Sequence, residues 1–318
     1  MFRSGFNLKE KKKGKPMVMT IDNTTDGMLN KTFPGIVGTS ITSYHILTTI
    51  IGILGVVLNG SLLIAMVRYR STIFTSKGAY LIANLAIADI LTGLNSSLWG
   101  LRYALRLHQT INKAVFTILW TSIEASFLTI LVMSLERYIA IVFPFKAQVW
   151  LSKTRTIKCF IAVWLISAMS GVCMELSHEI VTLCLSGVFE ITILVTMFFY
   201  YKIFMKLRQR RAFLTSIQPT GARGVRSNVD LQRREYKLTT VVVSLVVILI
   251  ITVLPFMVAG QISLVLHLFT VAKHDTKLHL FLHYYLPVEL MNFVVNPIVY
   301  AWRLAKYRLA LLPTVHCR

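Results

Sequence analysis

The sequence predicts an all-α membrane protein: a bundle of seven membrane-crossing helices, followed by a short amphipathic helix. Three observations carry this. Of 318 residues, 55% are apolar and only 15% charged, with a mean hydropathy of +0.65, whereas a soluble chain needs roughly a quarter of its residues charged. The apolar residues fall in long runs, and seven of them are near or above the ~20 residues that span about 30 Å of hydrocarbon. Backbone groups in lipid must be satisfied within each segment, which makes these runs helices and their assembly a bundle. The composition excludes a soluble enzyme. The 34 Lys and Arg against 13 Asp and Glu, net +21, gather between the runs, which is how membrane topology is set and does not call for a nucleic-acid partner.

The predicted spans are Tyr44 to Val67, Ala79 to Leu101, Val115 to Phe143, Ile157 to Met174, Ile180 to Phe204, Leu238 to Phe269 and Leu278 to Trp302. They divide the chain into a tail (1–43), a membrane domain (44–302) and a terminal helix and tail (303–318). With the N-terminus outside, the inner loops hold Arg68, Arg70 and Lys77, then Lys146, Lys153, Arg155 and Lys158, then ten basic residues from Lys202 to Lys237. The outer loops carry Arg102, Arg106 and Lys113, none between spans four and five, then Lys273 and Lys277. The positive-inside rule therefore predicts a multi-pass plasma-membrane protein with an outside N-terminus. The basic stretch Lys9 to Lys15 opposes that orientation, and a start at Met17 or Met19 would remove it. No apolar run precedes residue 44, so no signal peptide is read there. Two sequons, at Asn23 and Asn30, suit an outside, glycosylated tail. Cys159, Cys173, Cys184 and Cys317 have no metal-ligand spacing or disulfide framework, and at least two should lie within the spans.

Polar residues inside and at the ends of the spans point to a switch. Span three ends in Leu135-Glu136-Arg137-Tyr138, and Glu235 stands at the start of span six. An arginine that can exchange carboxylate partners where membrane meets water is a switch element; an isolated one would be a snorkelling anchor. Span seven ends in Asn296-Pro297-Ile298-Val299-Tyr300, where the proline bends the helix and lets Asn296 turn inward. Asn292 and Asn296 share a face, and Asp89 in lipid needs polar partners, water or a cation.

In order along the chain, these motifs resemble the rhodopsin-like (class A) G-protein-coupled receptors. Further points of resemblance are Gly55 to Asn59 on span one, Leu85 to Asp89 on span two, Trp164 on span four, Tyr200 and Ile203 on span five, and Pro255 on span six. The resemblance covers Tyr44 to Arg308. It implies coupling to a heterotrimeric G protein and an activation set of Glu136, Arg137, Tyr138, Tyr200, Glu235, Pro255, Asn296, Pro297 and Tyr300. It also implies a sodium ion held by Asp89, Ser126, Asn292 and Asn296, the alternative being a protonated Asp89 in a hydrogen-bond network.

The departures narrow the group. Asn112 stands where the family usually has a disulfide-bonded cysteine, the second outer loop is nearly absent, and Thr192 replaces the proline of span five. These features resemble the melanocortin receptors, in the wider group with the adenosine, cannabinoid and lysophospholipid receptors. The adenosine-binding residues do not carry over, since Gly260 and Leu290 hold their positions; nor does the usual tryptophan, which is Val253. Leu119 replaces the amine-binding aspartate, and span seven lacks the lysine an opsin would use for retinal. The pocket implied by analogy is apolar: Leu119, Trp120, Ile123, Cys184, Val188, Val253, Phe256, Met257 and Leu286. It suits a lipid or a folded peptide turn, with surrounding membrane lipids as further partners. Glu124, Glu190 and Glu289 lie within apolar spans, as structural hydrogen-bond donors or as partners for a cationic ligand. The rim residues Arg102, Arg106, Lys113, Lys273, His274 and Lys277 suggest an anionic group or headgroup anchoring. The competing class is a transporter or channel that uses intramembrane acids; the two halves show no similarity of the kind transporters usually have. An intramembrane enzyme would need paired catalytic residues at one depth, and no His or Cys arrangement supplies them.

Overall fold

A computed structural model describes residues 34–74, 77–176, 179–216, 222–269, 276–304 and 307–308, and all regular structure among them is helical. The helices are α1 (Pro34–Arg68), α2 (Arg70–Ile73), α3 (Lys77–Leu101), α4 (Gln109–Val142), α5 (Pro144–Trp150), α6 (Lys153–Leu176), α7 (Glu179–Ser216), α8 (Ala222–Phe269) and α9 (Thr276–Arg303). Each predicted span lies within one long helix, in order, save that Phe143, the predicted end of span three, caps α4 just beyond its last residue. Six of the helices are long and apolar enough to cross a membrane. The remaining one, α9, has 28 residues but carries Glu289, Asn292, Asn296 and two prolines, which lower its hydropathy. Glu289, Asn292 and Asn296 are all buried, so α9 turns its polar face toward the bundle.

The helices run beyond the apolar stretches. Helix α7 continues to Ser216 and α8 begins at Ala222, because the Arg- and Lys-rich inner segments are good helix formers even where their side chains belong in water. Pro144, just past the predicted end of span three, is the first residue of α5, where its fixed φ and missing N–H suit a helix start. Only Tyr307 and Arg308 are described beyond Leu304, so the terminal amphipathic helix, like Asn23 and Asn30, lies largely outside the described residues.

Helix α4 is the hub: it packs on α3, α6, α7 and α8, while α1, α3, α8 and α9 close the ring. The most apolar window of α3 is 67% buried against 17% for α6, so α3 faces protein and α6 faces mainly lipid. Lipid supplies no hydrophobic drive between helices, so small residues and polar contacts hold them. A Cβ at either Gly52 or Gly93 would lie 2.6 Å from the other's carbonyl oxygen, so α1 and α3 touch backbone to backbone. Asn84 joins three helices, donating to Thr129 Oγ1 (2.8 Å) and accepting from Trp164 Nε1 (3.1 Å).

Candidate functional site

At mid-depth, α3, α4 and α9 bring Asp89, Ser126, Asn292 and Asn296 together. Asp89 is fully buried. Its Oδ1 accepts from Ser126 Oγ and its Oδ2 from Asn296 Nδ2, each at 2.8 Å. A small cavity adjoins it; Asp89, Thr92, Ser126, Glu289 and Asn292 are its polar lining. The free room suffices for about one water-sized occupant. The side-chain oxygens of Asn292 and Asn296 are buried without a partner, as acceptors for an ion or water would be. The four residues thus fit a sodium ion by donor type. Among the described residues, no group of three or more His, Cys, Asp or Glu side chains could hold a metal.

Of the three prolines inside described helices, Pro255, Pro287 and Pro297, the first and last have their freed carbonyls tied to a neighbouring helix. A helical proline leaves the carbonyl four residues earlier without its donor. For Pro297 that carbonyl is Phe293, which accepts from Asn59 Nδ2 of α1 at 2.9 Å. For Pro255 it is Ile251, which accepts from the Tyr285 hydroxyl of α9 at 2.8 Å. Sequence reading missed Tyr285 and the role of Asn59 because a freed backbone acceptor leaves no mark of its own in a sequence.

At the inner end, Arg137 is 7% exposed and forms a bidentate pair with Glu136, Nε to Oε2 and Nη2 to Oε1, each at 2.5 Å. The Glu235 side chain lies outside the described residues. Tyr200 shares a 3.0 Å hydrogen bond with Ser134, and Tyr138 stacks on Phe199 with ring centroids 5.0 Å apart. The Tyr300 hydroxyl is buried with no hydrogen-bond partner.

The outer pocket is only partly assembled. Leu119, Ile123, Val253 and Met257 are buried, and Trp120, Phe256 and Leu286 are half-buried. Cys184 and Val188, by contrast, face outward, Val188 with 58% of its surface exposed. The inward face of α7 carries Phe189, Ile193, Thr196 and Ile203, so Val188 is turned about 100° from it. The basic rim is also altered. Arg102 is buried, its guanidinium 4.0 Å from the Trp99 ring and 4.4 Å from that of Tyr103. Lys113 pairs with Glu175 at 2.7 Å, joining the outer ends of α4 and α6. Arg106 remains exposed; Lys273 and His274 lie outside the described residues, as does the Lys277 side chain. Among the three intramembrane acids, Glu124 and Glu190 are half-buried and Glu289 is buried.

Residues 58–179 match the family described as 7 transmembrane receptor (rhodopsin family). The chain is similar to Melanopsin-B of Xenopus laevis, 23% identical over 299 residues, which cover 84% of this chain and 54% of that protein. The chain thus spans about half the length of the curated relative it matches.

Proposed function

We propose that the chain is a plasma-membrane receptor of the rhodopsin family, N-terminus outside, whose extracellular ligand favours an outward position of α8 in which the inner loops engage a heterotrimeric G protein. A family of signalling receptors is not a family of enzymes, and the match over residues 58–179, from the second half of α1 to the end of α6, favours the receptor over a transporter or channel. The observation that carries the reading is the buried Arg137–Glu136 pair at the inner end of α4: it holds in place a guanidinium whose release would open a charged contact for a cytoplasmic partner. Glu136→Gln should weaken the pair and shift the resting equilibrium by about 1 kcal/mol, roughly fivefold. Ligand-free nucleotide exchange on a co-expressed G protein should rise accordingly. Unchanged exchange at equal surface expression would count against the lock.

The ligand class that the pocket favours is apolar, a lipid or a compact peptide turn, entering past a second outer loop reduced to the few residues between Leu176 and Glu179. That short loop and Asn112 support a place beside the melanocortin, adenosine, cannabinoid and lysophospholipid receptors. The similarity to Melanopsin-B speaks for the rhodopsin family at large and does not single out that group.

Sodium, in this reading, stabilises the inactive packing through Asp89, with the unpartnered oxygens of Asn292 and Asn296 as neutral acceptors. A ligand shifts an equilibrium only by its differential affinity. Raising sodium, with choline as the ionic-strength control, should therefore lower agonist affinity, and Asp89→Asn should abolish the dependence. Affinity indifferent to sodium in the wild type would sink this part.

A further inference from the structure

The polar groups around the mid-depth cavity are unequally satisfied. Asp89 has a donor on each carboxylate oxygen, and Thr92 donates to Ser122 Oγ at 3.0 Å. Glu289 is 4% exposed and neither of its carboxyl oxygens has a hydrogen-bond partner; the same holds for Asn292 Oδ1, one helical turn further along α9. A carboxyl group so buried requires something in the cavity to meet it. Glu289 is not among the positions that the family resemblance supplies, and it raises the number of carboxyl groups lining the cavity from one to two.

We propose that Glu289 and Asp89 together make this cavity a site for a divalent cation of calcium's class. The lining donors are all oxygens, with no imidazole or thiolate, which selects a hard cation. With both carboxyls deprotonated by the bound ion, a monovalent cation would leave one charge uncompensated, whereas a divalent one balances both. The room for about one water-sized occupant means that the ion enters with little of its hydration shell. Magnesium sheds water reluctantly, while calcium accepts irregular shells rich in carboxylate and amide oxygens. The inference rests on the same cavity as the sodium reading and differs from it in valence and in the part given to Glu289.

The test uses the full chain in phosphatidylcholine nanodiscs, stripped with chelator. The unfolding midpoint is followed by intrinsic fluorescence against calcium, magnesium and sodium chlorides, with choline chloride holding ionic strength, and binding of radioactive calcium is measured alongside. Calcium should stabilise the wild type at concentrations about tenfold or more below those sodium requires. Glu289→Gln should remove calcium binding and that advantage while leaving the sodium response; Asp89→Asn should remove both. Glu289→Asp, which keeps the charge and shortens the reach, should bind calcium about threefold or more weakly. Calcium stabilisation that survives Glu289→Gln, or a wild type with no preference for calcium, would overturn the inference. A wild type that answers to calcium and not to sodium sinks the sodium reading alone; the reverse sinks this one alone.

Discussion

Pro255 in α8 and Pro297 in α9 solve the same problem in different surroundings. Pro297 frees the carbonyl of Phe293, which meets a fully buried asparagine on α1. Pro255 frees that of Ile251, which meets a phenol at the exposed edge between α8 and α9. Asn59 also bonds its own helix at Gly55, 3.0 Å away, so its amide is held from two sides; Tyr285 reaches its acceptor with one hydroxyl on a longer side chain. The bend of α9 is therefore clamped within the core, while the bend of α8 is latched at its edge. The proposed outward swing of α8 would draw on this inequality, since Tyr285 bonds Ile251 at the helix edge and makes no contact with the Asp89 hydrogen bonds.

The strongest blow to this contrast should come from Asn59→Leu. It leaves the Phe293 carbonyl buried without a donor, at about 1–3 kcal/mol, and should lower the unfolding midpoint with surface expression falling in parallel. Tyr285→Phe removes one hydrogen bond at the edge, about 1 kcal/mol. Its expected signature is a change of up to about fivefold in ligand-free signalling with little loss of midpoint. If instead Tyr285→Phe destabilises as much as Asn59→Leu and leaves signalling untouched, the latch is only another clamp. The pair of substitutions should be additive within about 0.5 kcal/mol, since they sit on different bends and share no partner; strong coupling would mean that the bends move as one.

The smallest effect serves as the control. Lys113→Met breaks the pair with Glu175, whose lysine is 39% exposed; exposed pairs contribute about 0–1 kcal/mol and are screened by salt. The midpoint should shift slightly at low ionic strength and not at high, with signalling constant. A signalling change would place the outer ends of α4 and α6 on the route of the switch.

What was legible in the sequence follows from the physics of each feature. The spans were legible because lipid demands apolar length, and Asp89, Asn292 and Asn296 because polar side chains are rare and costly there. Helix α9 read as a span from the length of its apolar run, although its polar face lowers its hydropathy. The outward turn of Cys184 and Val188 was not legible. The membrane stretch of α7 has large apolar residues on its outward face (Val188, Ile191, Leu194) as well as its inward one (Phe189, Ile193), so apolar periodicity does not fix its rotation, and Thr192 stands where a proline would have marked a register. Glu289 could be recognised as an intramembrane acid, but its neighbours across the cavity come from α3 and α4, and only packing brings them together. Helix α5 could have been found from Pro144, which suits a first helical position as well as a loop.

The Lys113–Glu175 contact also bears on biogenesis. At the outer lip, where the family usually carries a bond between sulfurs, this chain has an asparagine, and among the described residues its cysteines are free thiols. Closure there is non-covalent and forms as soon as α4 and α6 meet, without an oxidant or an isomerase. Folding of the bundle should accordingly be indifferent to reductant, and a bacterial cytoplasmic membrane or a cell-free reaction containing dithiothreitol becomes a suitable place to make it.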